Sequence, residues 1–220
     1  SRVWWLILCY WLFVGFFVLS TEYQQCVSLR IIVIHVPASC MSLFIIMVMA
    51  ISSGIGIISH IRLAYMVVSA SAPIGASFTF LALVTGSLWG KPMWGAYWVW
   101  DARLTSELIL LFLYFGYMAL QSAIEDQRSA DKASGLLAIV GVVNIPIIHY
   151  SVEWWNTLHQ GATVAKFDKP SMHIDMLIPL LLMAVAFKLF YAAVVLVRTR
   201  NEALYRDRNR RWVRELIEKL

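Results

Sequence analysis

Charge is scarce in this chain. Aspartate, glutamate, lysine and arginine make up 14% of its 220 residues, while 60% are hydrophobic and 14% aromatic. Soluble domains carry about 25% charged residues, so the composition excludes an ordinary soluble domain and implies an integral membrane protein. Cysteine is equally sparse: Cys9, Cys26 and Cys40 are the whole complement. No C-x-x-C and no C-x-x-C-H occurs, which excludes a thiol–disulfide enzyme of that type and a c-type cytochrome. Cys9 and Cys40 fall in or near apolar runs, where a small buried hydrophobe is the expected role; Cys26 has no partner nearby in sequence. No phosphate-binding G-x-x-x-x-G-K-[ST] is present, so any ATP must be hydrolysed by another subunit. No H-x-x-H, H-E-x-x-H or Cys/His tetrad offers a zinc site. There is neither a repeat of 20–50 residues nor a low-complexity tract.

What the chain does have is long apolar runs. A bilayer is crossed by about 20 apolar residues in a helix, and six runs qualify, at about 3–19, 36–58, 64–88, 104–123, 134–150 and 175–197. The expected fold is an all-α integral membrane protein, one bundle of six transmembrane helices over residues 1–220 with a basic tail at 198–220. The first run exceeds the roughly 7–15 residues of a signal-peptide core and no A-x-A-like site follows it, so it is read as a span. The chain opens on Ser1 rather than Met, and a native start upstream of it is expected.

The formal charge is +5, but its placement speaks to orientation rather than to nucleic acid. Arg2, Arg62, Arg128, Lys132 and eight basic residues of the tail lie on one side of the six spans. Arg30, Lys91, Arg103, Lys166 and Lys169 lie on the other. The excess of Lys and Arg marks the cytoplasmic side. Both termini are therefore expected inside, and the loops near 20–35, 89–103 and 151–174 outside.

Those three loops carry the chemistry. The stretch "WGKPMWGAYWVWDARLTSE" (residues 89–107) packs Trp89, Trp94, Trp98 and Trp100 beside Tyr97. An interfacial aromatic belt accounts for one or two rings per span end; a cluster of this size suits a large, flat, apolar ligand. Trp94 and Trp98 are i,i+4 neighbours if the stretch is helical, Gly90 and Gly95 would allow close backbone approach, and Pro92 would fix a bend. Asp101 has two readings, an N-cap of the next helix or a member of the site. Arg103 and Arg30 could pair with ligand carboxylates in the bidentate manner arginine favours.

Four of the five histidines, His35, His149, His159 and His173, fall on the same side as this cluster, with His60 opposite. His35 precedes Val36-Pro37, and proline favours the first turn of a helix. His35 is thus expected at a helix N-terminus, where the dipole disfavours imidazolium and leaves a ring able to coordinate a metal. A headgroup-layer histidine bound to water is the other reading of that position. His159, in "WWNTLHQG", sits beside Trp154, Trp155 and Gly161 on the third loop, where an interfacial loop histidine is the alternative. Taken together, two imidazoles, a wall of indoles and arginines at a wet rim fit haem, which is flat and apolar and bears two carboxylates.

The Trp-rich stretch resembles the WWD signature of haem-handling proteins. With "RIIVIHVPAS" and "NIPIIHYSVEWWNTLHQG" the chain is similar to the cytochrome c maturation protein C, or haem exporter protein C, family, densely over about 22–161 and more loosely over all six spans. Tyr97 departs from a position where the family commonly has Trp, and 162–175, which contains His173, matches no motif. The resemblance implies that haem b is held at the outer leaflet with His35 and His159 as its axial ligands. It implies presentation on Trp89, Trp94, Trp98, Trp100 and Asp101, followed by covalent loading of a membrane-anchored haem chaperone. It also implies an ABC transporter built of the A and B proteins of that system, a small D subunit and a bacterial inner-membrane setting.

The expected function is therefore haem binding and delivery in c-type cytochrome biogenesis, by a protein that assists a covalent bond in a partner without being an independent enzyme. A haem lyase of the same superfamily is an alternative, against which the short chain counts. A secondary transporter is another, for which Glu107 in the fourth span is the suspect group; the spans carry no evident pair of mid-membrane charges or inverted repeat. A structural subunit anchored by its aromatics is the plainest reading.

Overall fold

The computed structural model describes residues 26–155 and 174–217. Among the described residues the elements are all helical: α1 (Cys26–Ser59), α2 (Arg62–Trp94), α3 (Ala102–Ala123), α4 (Gln127–Gly141), α5 (Asn144–Trp154), α6 (Ile174–Arg206) and α7 (Arg211–Ile217). Among the described residues five helical stretches are long and apolar enough to cross a bilayer, with α4 and α5 together forming the fourth. The first expected span, at 3–19, lies outside the described residues.

The helix α2 is the hub. It packs on α1, α3 and α6, while α1 also meets α4 and α6, and α3 meets α4 and α5. The core between them is built from Met41, Ile45, Met49, Val68, Leu110, Tyr114 and Met183. Small residues let the helices close: a Cβ on Gly75 would collide with the ring of Tyr114. That ring is fully buried, and its hydroxyl donates to the Ser42 carbonyl at 2.7 Å. A polar atom taken into an apolar interior needs such a partner.

The two ends of the bundle are tied differently. At one end Arg206, deeply buried, donates to both carboxylate oxygens of Asp131 at 2.7 and 3.1 Å, and to Glu202 at 2.6 Å. Gln121 and Gln127 also donate to Asp131, at 3.1 and 3.2 Å, and Arg62 pairs with Asp207 at 2.8 Å. Asp126 caps α4 by accepting from the Ser129 amide, and the Ser129 hydroxyl, together with that amide, holds its carboxyl below the usual carboxylate range. At the other end lie the Trp-rich stretch, the start of α3 and the end of α5.

Several local expectations are revised. Pro37 does not open a helix: α1 begins at Cys26 and carries Pro37 inside it, a placement that transmembrane helices tolerate because neighbours satisfy the freed carbonyl. The run at 134–150 is broken at Val142–Val143, where short i→i−3 hydrogen bonds replace the regular ladder. Pro146 has no N–H to give Val142 and sits instead in the first turn of α5. Asn144 at the break donates to the Ser106 carbonyl at 2.7 Å. The last span continues beyond Val197 to Arg206, held by the Arg206 ion pairs. Cys40 is exposed on the flank of α1 rather than buried.

Candidate functional site

His35 lies within α1, so the helix-dipole reason for a neutral ring does not hold. What the structure fixes is the tautomer that a neutral ring adopts. The His35 Nδ1 stands 2.9 Å from the Ala82 carbonyl and 3.2 Å from the Thr85 hydroxyl. Thr85 directs its own proton to the Leu81 carbonyl at 2.7 Å. A carbonyl only accepts, so Nδ1 carries the hydrogen, and in the neutral ring Nε2 is then the nitrogen with the lone pair. A ring N–H donated to a backbone carbonyl is how metal-ligating histidines are commonly oriented.

Space for the ring is made on α2. A Cβ on Gly86 would stand 2.9 Å from His35 Cε1. Ala82, Thr85, Gly86 and Trp89 share one face of α2, since residues three and four apart stack along a helix. Trp89 therefore follows the His35 contact by one turn, about 5.4 Å along the axis.

The helix α2 ends within the tryptophan cluster. Gly95 adopts φ +77° and its N–H bonds the Lys91 carbonyl, a left-handed C-cap that a residue bearing a Cβ rarely adopts. The cap ends the helical stretch, so Trp94 and Trp98 are not i,i+4 neighbours on one face. The rings pair instead as Trp89 with Trp94 and Trp98 with Trp100, edge to face at 5.4 and 5.3 Å. Close approach does occur at Gly90, where a Cβ would meet the Trp94 ring at 3.0 Å and the Ala96 carbonyl at 3.3 Å. Pro92 lies in the last turn of α2 rather than at a separate bend.

Trp89 is buried, Trp94 and Trp98 are half-buried, and Trp100 is 74% exposed. The indole N–H groups of Trp89 and Trp98 are buried with no hydrogen-bond partner among the described residues. A buried donor left unmet costs about 1–3 kcal/mol, and a carboxylate or ordered water would relieve it. Lys91 lies over the Tyr97 ring at 5.2 Å and donates to the Gly95 carbonyl.

Asp101 takes the N-cap role: its carboxylate accepts from the Leu104 amide at 2.8 Å. Arg103, half-buried, reaches the Ile148 and His149 carbonyls at 3.4 and 3.5 Å, which draws the end of α5 to the start of α3. On α5 an aromatic ledge follows: the His149 ring meets Tyr150 at 4.8 Å, Tyr150 stacks on Trp154 at 5.4 Å, and Trp154 meets Trp155 at 5.8 Å. Trp154 and Trp155 are 56% and 50% exposed. His159 and His173 lie outside the described residues, as does the side chain of Arg30. His60 is at the opposite end, in the turn between α1 and α2.

Glu107 is buried between α1 and α3, accepting from Ser42 at 2.7 Å. Asp131, the buried acid at the tail end, is already paired with Arg206. Among the described residues no group of three His, Cys, Asp or Glu side chains could hold a metal ion. Sequence reasoning missed Ala82, Thr85, Gly86 and Tyr150. Tyr150 stands four residues before Trp154, a helical spacing that could have marked it; nothing marks Ala82, Thr85 and Gly86, because their relation to His35 arises only when α2 packs on α1.

A family model described as "Heme exporter protein C" matches residues 2–214. The heme exporter protein C of Escherichia coli (strain K12) is 53% identical over 206 residues, covering 93% of this chain and 82% of that protein. The protein of the same name from Haemophilus influenzae is 52% identical over 199 residues, with 90% and 81% covered. That of Bradyrhizobium diazoefficiens is 51% identical over 185 residues, with 84% and 70% covered.

Proposed function

The chain belongs to the heme exporter protein C family, and from that premise we propose that it holds haem b at the tryptophan end of its bundle and presents it to a membrane-anchored haem chaperone for covalent loading. Membership implies haem handling in c-type cytochrome biogenesis. The finer reading rests chiefly on His35. Its Nδ1–H is committed to the Ala82 carbonyl, Gly86 makes room for its ring, and Trp89 lies one turn further along the same face.

In this reading His35 offers Nε2 to the haem iron, and His159, in the segment that follows α5 in sequence, supplies the second imidazole. The residues suit such a cargo. The exposed faces of Trp100, Trp154 and Trp155 provide apolar area, and the indole N–H groups of Trp89 and Trp98 provide donors for oxygen acceptors. Arg103 and Arg30 supply positive charge for propionates. Asp101 acts on the surface from behind, fixing the start of α3 and with it the path of residues 95–100. In the same reading this end faces the periplasm from a bacterial inner membrane and the tail lies in the cytoplasm, an orientation that the Lys/Arg excess on the tail side supports. The transport ATPase subunits and the small D subunit of the same system are the expected partners.

Holding haem and handing it on are separable. A ring pair contributes only about 0.5–1.5 kcal/mol beyond area burial, whereas misplacing reacting groups by about 1 Å can cost about 100-fold in rate. Trp94→Ala, Trp98→Ala and Arg103→Ala should therefore retain substantial haem yet lose chaperone adduct disproportionately. Haem per protein and adduct per haem are measured in the same membranes. A fall of the two in strict proportion for all three variants would reduce these residues to binding alone and remove the presentation role.

A further inference from the structure

An apolar groove of about 400 Å³ runs between α2 and α6, lined by Pro73, Phe78, Leu81, Phe187, Phe190 and Val194 and closed at one end by Arg198. Its lining stops at Leu81, about two turns of α2 short of Trp89. Arg198 Nε donates to the Ala70 carbonyl at 3.1 Å. Ala70 is eight residues from the start of α2 at Arg62, and Arg198 is eight from the end of α6 at Arg206. At 1.5 Å per residue, the guanidinium stands about 12 Å from the end of the bundle that carries the basic tail. The groove then extends from Ala70 to Leu81 and from Arg198 to Phe187, eleven residues on each helix, or about 16 Å. Half of a hydrocarbon core is about 15 Å, so the groove has the depth of one leaflet.

We propose that this groove binds an anionic phospholipid of the tail-side leaflet, an acyl chain lying against Phe78, Phe187 and Phe190 and the headgroup phosphate meeting Arg198. The polarity is matched along its length. The Ser77 hydroxyl on the wall is satisfied by the Pro73 carbonyl at 2.8 Å and asks nothing of an occupant. Arg198 is exposed and lines the groove, and the Ala70 carbonyl takes its Nε–H, which leaves the two Nη groups for a phosphate of the kind arginine receives bidentately. The chain's own apolar run at 3–19 fits this mouth less well. It contains no acid before Glu22 and begins beside Arg2, so it would set one cation against another.

The test uses the full chain in lipid nanodiscs and as purified from membranes. Native mass spectrometry should detect one retained phosphatidylglycerol, preferred over phosphatidylcholine by about fivefold, the factor expected for one arginine near a membrane surface. Arg198→Gln should abolish the preference, and Arg198→Lys should keep most of it. Ser77→Trp, which fills the groove while leaving the guanidinium in place, should displace the lipid. A photoreactive side chain at position 77 should label phospholipid. Equal retention of the two lipids, an unchanged preference in Arg198→Gln, or labelling of residues 1–25 or of another protein would each overturn the proposal. Haem spectra recorded on the same samples keep this outcome distinct from that of the haem reading.

Discussion

Adding one methyl group at Gly86 should disable the proposed iron ligand while leaving the bundle folded. In Gly86→Ala the new Cβ stands 2.9 Å from His35 Cε1 and 3.4 Å from Nδ1. Carbon atoms settle at about 3.5–4.0 Å, so the ring must retreat by roughly half an ångström. The Nδ1 to Ala82 hydrogen bond, now 2.9 Å, would then stretch beyond the usual limit of about 3.2 Å. Overpacking of this kind costs about 1–3 kcal/mol, and the better helix propensity of alanine returns about 1 kcal/mol. The net destabilisation is too small to unfold the chain. Affinity for haem is more exposed, because losing the hydrogen-bond partner behind a metal-ligating histidine typically costs about 10–100-fold. Haem titration of the purified variant should show a loss in that range, with the bound fraction moving away from a six-coordinate low-spin spectrum. Gly54→Ala is the control, since a Cβ there meets nothing within 4 Å. A Gly86→Ala protein with wild-type affinity and spectrum would refute the role given to this contact.

Two further outcomes bear on the frame around the site. Asp131→Ala leaves the buried Arg206 guanidinium with Glu202 alone and should lower stability by up to about 3–5 kcal/mol, whereas Asp131→Leu with Arg206→Met and Glu202→Gln should cost clearly less; thermal unfolding in detergent measures both, and equal losses would contradict the pairing argument. A cysteine at position 91 should react with an impermeant maleimide in intact spheroplasts and one at position 208 only after permeabilisation, while the reverse pattern would invert the orientation.

The helices were legible in the sequence because apolar runs of bilayer length have few other uses. Their ends were less so. Pro37 carries the local signal of a helix start, and only the packing of α1 on its neighbours lets the helix run through it. The extension of α6 to Arg206 depends on an ion pair with Asp131, a residue 75 positions away. The break before Asn144 follows from Pro146, a signal that was in plain view, but the hydrogen bond that anchors it to Ser106 required the fold. At the candidate site, aromatic composition and histidine placement singled out one end of the molecule. The Asp101 cap was readable because its mechanism is local. The commitment of His35 Nδ1 to Ala82 was not, since it joins residues 47 apart across two helices.

The most direct test of the account is an absorption spectrum of the detergent-purified chain and its His35→Gly variant. The wild type should bind haem in a six-coordinate low-spin form. His35→Gly should lose the haem or hold it five-coordinate, and added imidazole should restore the wild-type bands by occupying the place of the missing side chain. A His35→Gly protein that binds haem with an unchanged six-coordinate spectrum, with or without imidazole, would contradict the claim that His35 holds the iron.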